Sequence, residues 1–304
     1  MSITSNYVGT LATPYISKAI LGAPTLDTQM VQILPNIKYK TNIGKRSLED
    51  FDLKPYQAKF SGTSKFSYSE FVLEPWNFTV HIEEEKRALI QTWEAEKMTP
   101  GAQNTDFTFD EWLVERMGKM VSKKIEKAIW SATKTTGTTT NVMDAINGYE
   151  TILSSSAGTT EAVKITGSTL TASNIADELA KVYEALHELE IEPSEAAIYM
   201  SRKAMALYKI AGSGQMMQTF TADQPFTYLG MSLFESHAID DDSIIAGMKD
   251  NFYLGTDLVS DYNQVRVVDH SETTQDDIIS FRLDGSVDTK IAYPEEVVYR
   301  YNPA

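Results

Sequence analysis

The spacing of apolar residues changes several times along this chain, and the changes divide it. Residues 1–55 carry short apolar patches interrupted by Pro14, Pro24, Pro35 and Pro55, with one helix-like window at 15–21. Such a segment cannot enclose a core of its own, so it reads as an extended arm that needs another surface to lie on. Residues 56–82 alternate aromatic and β-branched residues with polar ones around Ser61-Gly62-Thr63-Ser64, the pattern of a long hairpin turning at 61–64. A helix is expected from about Glu83, where three carboxylates would occupy a first turn that favours negative charge, and it ends at Pro100-Gly101.

The next start signal is a capping box, Thr108 followed by Glu111. Leu113, Met117, Met120, Val121, Ile125, Ala128 and Ile129 then recur at helical spacing, predicting a helix of about 24 residues, roughly 36 Å long. Its expected outward face carries Arg116, Lys119, Lys123, Lys124 and Lys127 against Glu115 and Glu126. Residues 131–172 are rich in Thr, Ser and Gly and read as connecting loops and short strands. Asn174 or Ser173 caps a helix whose Ile175, Leu179, Val182, Leu186 and Leu189 form one apolar stripe, and Pro193 ends it. AAIYM is a strand, RKAMALYKI a short helix, and the last hundred residues are short β-forming runs expected to form mostly antiparallel sheet. The fold class is therefore α+β, and no repeat of fixed period suggests a solenoid.

Composition narrows the function. The chain has 304 residues, 42% hydrophobic and 23% charged, enough core material for more than one substructure. It has no cysteine, which excludes disulfide frameworks, thiolate metal sites and cysteine nucleophiles. No stretch approaches eighteen consecutive apolar residues and none resembles a signal peptide, so no membrane contact and a cytoplasmic setting are expected. A net charge of −15 argues against a protein devoted to gripping nucleic acid. The charge is unevenly spread: seven basic against four acidic residues in 1–60, twelve against twenty in 61–191, and eight against eighteen in 192–304.

Candidate chemistry is sparse. His81, His187, His237 and His270 lie in different predicted elements without metal-pair spacing. Asp240-Asp241-Asp242 could offer oxygen ligands to a divalent cation, but it lacks the alternating spacing of a calcium loop, and a solvated turn is the simpler reading. Ala211-Gly212-Ser213-Gly214 supplies two glycines of a dinucleotide loop without the third or the preceding strand. There is no phosphate-loop or serine-elbow motif, and the residues nominate no catalytic group, cofactor or metal. More informative are Phe60, Phe66, Tyr68, Phe71 and Trp76, aromatic residues in a hairpin with no evident covering helix. They point to a surface for a partner, with packing on their own domain as the alternative.

In this order of elements the chain resembles the major capsid proteins of tailed bacteriophages, the Hong Kong 97-type shell fold. The resemblance rests on the strand-into-helix passage TVHIEEEKRALIQTWEAE and the long helix DEWLVERMGKMVSKKIEKAIWSATKTTG with INGYETIL after it. It rests also on YLGMSLFESHAIDDDSIIAGMKDNFYLGTDL, where an acidic turn separates two β-runs. It implies an N-terminal arm at 1–51, an extended loop at 52–82 that overlaps a neighbouring subunit, and a peripheral domain at 83–167 containing a spine helix at 108–131. An axial domain would span 168–262, and the C-terminal strands of the peripheral domain 263–304. It further implies self-assembly as hexamers and pentamers into an icosahedral shell around double-stranded DNA, in the virion after assembly in the host cytoplasm. Arg116, Lys119, Lys123, Lys124 and Lys127 would then face the DNA, touching it without sequence preference.

A portal, decoration proteins and a separate scaffold protein, or no scaffold, are the implied partners, because the sequence reaches the arm almost at once. Lys59 and Lys65 lie in the segment that carries a cross-linking lysine in some relatives, but no partner Asn or catalytic carboxylate is identifiable, so non-covalent assembly is expected. The nearest alternative is an encapsulin-type nanocompartment shell enclosing cargo protein. A tail or adhesin component, and an acidic metal-dependent hydrolase using Asp240–Asp242, are further ones.

Overall fold

The computed structural model describes residues 4–8, 25, 30–50, 65–97, 109–135, 142–155, 162–213, 227–257, 264–272 and 276–303. Two six-stranded sheets and a separate two-stranded one account for its strands. The first sheet is organised by the 14-residue strand β13 (Ile278–Ile291). Strand β5 (Trp76–Glu85) pairs with β13 over ten residues, antiparallel, from Ile278↔Glu85 to Val287↔Trp76. On the other edge β12 (Gln264–Asp269) and β11 (Phe252–Thr256) pair with successive parts of β13. Two strands of the expected arm complete the sheet: β1 (Thr4–Val8) on β12 and β2 (Gln32–Leu34), parallel, on β11. Part of the arm thus finds its surface on its own chain, while the helix-like window at 15–21 lies outside the described residues.

The second sheet runs β6 (Val163–Thr166), β14 (Val298–Tyr301), β10 (Ile244–Met248), β7 (Ala196–Ser201), β9 (Met231–Ser236), β8 (Thr227–Tyr228). Strand β7 is buried along its whole length and alternates between two cores. Ala196, Ile198 and Met200 meet Ile175, Leu179, Val182 and Leu186 of the helix at Ile175–Glu188, while Ala197 and Tyr199 belong to the main core. Burial on both faces explains why AAIYM reads as an unbroken apolar run.

The main core is built on the helix at Phe109–Ser131, labelled α2, which follows α1 (Lys86–Lys97). Its Leu113, Met117, Val121, Ile125, Ala128 and Ile129 are buried, as their spacing predicts. At its C-terminal end Trp130 lies 5.3 Å from Tyr149 and 5.4 Å from Tyr199, ring centre to ring centre. Both tyrosines pack edge-on against Phe252 at 5.4 and 5.0 Å. Four rings from four elements therefore join both sheets to the long helix at one point. Tyr149 belongs to α3 (Tyr149–Ser154), a short helix inside the region expected to be loops and strands, and α4 (Ile175–Glu188) and α5 (Arg202–Ser213) complete the helices.

Several expectations change. Glu83–Glu85 remain in strand β5, and α1 starts at Lys86 without acidic residues in its first turn. The long β13 supplies ladder partners as far as Glu85, and that pairing outweighs the helix-start signal. Met120 is 50% exposed, whereas Glu126, expected on the outward face, is fully buried. Thr108 lies outside the described residues. The division at 262 is crossed both ways, since β11 joins the first sheet and the C-terminal β14 the second. Strand pairing between distant segments decides such membership, and composition carries no trace of it.

Candidate assembly surfaces

The hairpin is present but displaced from its sequence-based position. Strand β4 (Lys65–Leu73) pairs antiparallel with β3 (Thr41–Asp50), from Thr41↔Leu73 to Asp50↔Lys65, with an irregularity between Leu48 and Asp50. Its first strand thus comes from the expected arm, its tip segment 51–64, which includes the predicted turn and Phe60, is outside the described residues, and residues 76–82 belong to the first sheet. Pro75 separates these two fates, because it cannot continue a ladder. At about 3.4 Å per residue, the ladder carries the tip end roughly 30 Å from the root. Among the described residues, β3 and β4 pair only with each other.

The root is anchored firmly. Leu73 is fully buried, and Gly255 of β11 lets it approach: a Cβ there would stand 3.2 Å from Leu73 Cδ2 and 3.3 Å from Ile37 Cδ1. Phe71 is half-buried, its ring 5.5 Å from that of Tyr253, and Trp76 packs on the main core. Two of the five aromatic candidates are therefore held by their own chain. Phe66 and Tyr68 stand in β4 opposite Leu48 and Arg46.

Beside the root lies a cleft of about 860 Å³. Lys40, Lys134 and Lys290 contribute three ammonium groups, and Val72, Pro75, Trp76, Ala145 and Ile146 an apolar lining. Its acidic members are Glu74 and Asp288. Asp288 is buried and accepts hydrogen bonds from the backbone N–H groups of Glu74 and Thr289, both at 2.9 Å. Burial raises its carboxyl above the usual range, against the effect of those bonds and of Lys290 and Lys134. This cleft had no signal in the sequence, since its lysines come from three distant segments.

The five basic candidates of α2 are all exposed, as expected. At 100° per residue they fall within an arc of roughly 140°. The guanidinium of Arg116 lies 5.3 Å from the Trp112 ring centre and Lys119 Nζ 3.4 Å from Glu115. Between Val121 and Trp130 the helix is buried around most of its circumference, and its exposed positions there are Lys123, Lys124 and Lys127.

The buried carboxylates have structural partners. Glu126 Oε1 accepts from the hydroxyls of Thr25, at 2.5 Å, and Ser236, and Oε2 from the Thr25 N–H at 3.2 Å. Trp130 Nε1 donates to Thr25 Oγ1 at 2.8 Å, so Thr25 is held on α2, and Glu126 links it to Ser236 of β9. Helical spacing could not have found this, because at 100° per residue Glu126 falls beside Lys119 and its partners lie about a hundred residues away. The aspartate run is likewise committed. Asp240 Oδ1 accepts from the Asp242 N–H at 3.0 Å, Asp242 Oδ1 from the Leu170 N–H at 2.9 Å, and Asp241 pairs with Lys203 at 3.4 Å. The Leu170 N–H chiefly holds the Asp242 carboxyl below its ordinary value. These bonds tie the turn to Leu170 and to α5, in keeping with the solvated-turn reading. Among the described residues no group of three or more His, Asp or Glu is arranged to hold a metal ion, and no helix is long and apolar enough to cross a membrane.

No protein-family model matches the sequence, and no curated protein does. Solved structures do match, over nearly the whole chain. The fold is similar to the capsid of an empty GTA particle, with a TM-score of 0.58 and 13% identity over 93% of this chain and 90% of that one. It is similar to the procapsid of satellite phage P4, with a TM-score of 0.55 and 12% identity over 95% and 98%. A virus-like particle from Pyrococcus furiosus matches with a TM-score of 0.54 and 12% identity over 96% and 98%. The chain has the Hong Kong 97-type capsid-shell fold.

Proposed function

We propose that this chain is the major capsid protein of a tailed bacteriophage, a structural protein that self-assembles as hexamers and pentamers into an icosahedral shell around double-stranded DNA. The observation that carries the proposal is the hairpin: two strands of ten and nine residues, paired only with each other among the described residues, on a chain whose fold is similar to a capsid over 93% of its length. A ladder so placed has two unpaired edges, and a neighbouring subunit is the surface that would cover them. In this reading β3–β4 is the extended loop, shifted to 41–73, α2 is the spine helix, the second sheet with α4 and α5 is the axial domain, and the first sheet is the peripheral one.

The lysine stripe on α2 supports a DNA-facing inner surface, because phosphate neutralisation requires only clustered cations. The acidic remainder of the chain would face outward, and a separate scaffold, a portal and decoration proteins complete the proposed set of partners. The fold is as similar to a virus-like particle as to a phage procapsid, so a shell other than a phage capsid, a nanocompartment with protein cargo, is the second reading. Purification of the recombinant chain, electron microscopy and the ratio of absorbance at nucleic-acid and protein wavelengths test both. Closed particles containing nucleic acid support the phage capsid, closed particles containing a second protein the nanocompartment, and a chain that stays monomeric with scaffold supplied contradicts both.

A further inference from the structure

We infer that the cleft at the hairpin root is a binding site for a nucleoside phosphate. The inference is independent of the shell reading, because it concerns one chain and a small ligand. About 860 Å³ is the size of a pocket that encloses a small organic molecule, and it is too small for a second folded chain. Three ammonium groups line it, from Lys40, Lys134 and Lys290, in a chain of net charge −15. Elsewhere Lys86, Lys119, Lys181, Lys203 and Lys209 stand 2.5–3.9 Å from a carboxylate, whereas none of the cleft lysines is so paired among the described residues. The two carboxylates of the cleft do not cancel its three ammonium groups, and both oxygens of Asp288 already accept backbone N–H bonds, so the charge presented to a ligand is positive.

The walls are held in place before any ligand arrives. Asp288 and Lys290 stand two residues apart on β13 and so share one face. Lys134 lies on a segment fastened to 143–148, with the Thr133 N–H donating to the Met143 carbonyl at 2.9 Å, Thr135 to Asp144 at 3.0 Å and Gly148 to Ala132 at 2.8 Å. Asn147 Oδ1 accepts the Lys134 N–H at 2.8 Å, which orients the amide and leaves its NH2 group as a donor. Such a site loses little conformational freedom on binding. Lysine ammonium groups bind phosphate as point charges. Val72, Pro75 and Trp76 add apolar surface suited to a flat ring, and Asn77 and Asn147 add amides suited to its polar edge. A nucleoside phosphate carries both parts, inorganic phosphate only one, and the paired bases of a duplex could not enter.

Equilibrium dialysis of deoxyadenosine monophosphate against the unassembled full-length chain at low ionic strength tests this. Saturable binding of one ligand per chain is expected, with inorganic phosphate and deoxyadenosine both weaker competitors. Lys40→Glu with Lys134→Glu should weaken binding by roughly tenfold or more, because a hydrogen bond to a charged group accounts for about that factor. Lys40→Arg with Lys134→Arg should retain it. Lys123→Glu with Lys124→Glu makes the same charge change on α2 outside the cleft and should leave binding unchanged. All four positions are exposed, and circular dichroism confirms folding of each variant. No saturable binding at about 1 mM ligand, equal losses in the cleft and helix variants, or inorganic phosphate competing as well as the nucleotide would overturn the assignment. Displacement of the nucleotide by a glutamate-rich peptide or by duplex DNA, at concentrations below those at which the nucleotide itself saturates, would also overturn it and make the cleft a docking point for a macromolecule. None of these results depends on whether the chain forms particles, so the shell reading and this site fail separately.

Discussion

Arg300 and Glu178 offer a demanding test of how the second sheet is held. The Arg300 side chain is fully buried on β14; its Nε donates to Glu178 Oε2 at 2.8 Å, Nη1 to the Asp242 carbonyl at 2.6 Å, and Nη2 to the Ser168 carbonyl. Replacing Glu178 with Leu leaves a buried guanidinium facing carbonyls alone, which costs about 3–5 kcal/mol. Replacing Arg300 with Met strands two carbonyls at about 1–3 kcal/mol each, while Glu178 keeps Lys181 at 2.8 Å. The double variant removes both charges, so its cost should fall short of the sum of the singles by about 2 kcal/mol or more.

Urea unfolding of the unassembled chain at neutral pH reads these differences. For a chain of this size each kcal/mol corresponds to about 2 °C, so the Glu178 variant should melt about 6–10 °C lower. Burial alone would raise the Glu178 carboxyl, but hydrogen bonds from Lys181 and Arg300 outweigh it and the net displacement is downward. The pair's stabilisation is therefore present above the ordinary value of 4.5 and lost as the pH falls through the lowered folded one. Single-variant costs below about 1 kcal/mol, or strictly additive costs, would refute the reasoning.

Three further predictions concern other sites. Burial pushes the Glu150 carboxyl up to about 7, against the hydrogen bond from the Asp240 N–H, so the folded state binds the proton more tightly and stability declines as pH rises from 4.5 to 7. Glu150→Gln should remove that slope and exceed the unmodified chain by up to about 3 kcal/mol at pH 8, measured by urea unfolding at pH 5 and pH 8; parallel slopes would refute it. Gly148→Ala drives a Cβ into the Trp130 carbonyl oxygen and to 2.8 Å from the Ala132 N, so the melting experiment should show a loss of about 2 kcal/mol or more. Changing Lys119, Lys123, Lys124 and Lys127 to Gln should leave the melting temperature within about 2 °C but reduce the salt sensitivity of DNA binding, with a shallower slope by up to about 4 in a log–log titration; an unchanged slope would remove the helix from the DNA surface.

The helical stripes were legible because each lies in one continuous segment: Leu113 to Ile129 and Ile175 to Leu186 show their buried faces by spacing alone. Strand partners were less legible. The aromatic run at 65–73 announced a hairpin, but its partner at 41–50 is rich in polar and charged residues and looked like arm. The carboxylates at 83–85 gave a sound local signal for a helix start that a long neighbouring strand overrode. Glu126 was misplaced because a charged residue is presumed solvated until its partners are known, and Thr25 and Ser236 lie about a hundred residues away on either side. For the same reason no local pattern could reveal the cleft, whose lysines stand at positions 40, 134 and 290.

A cryo-electron microscopy reconstruction of particles assembled from the purified chain tests the central claim most directly. The account predicts a closed shell in which the 41–73 hairpin of each subunit lies across its neighbour and the lysine stripe of the long helix faces the interior. Particles in which the hairpin folds back on its own subunit and the stripe lies on the outer surface would contradict it.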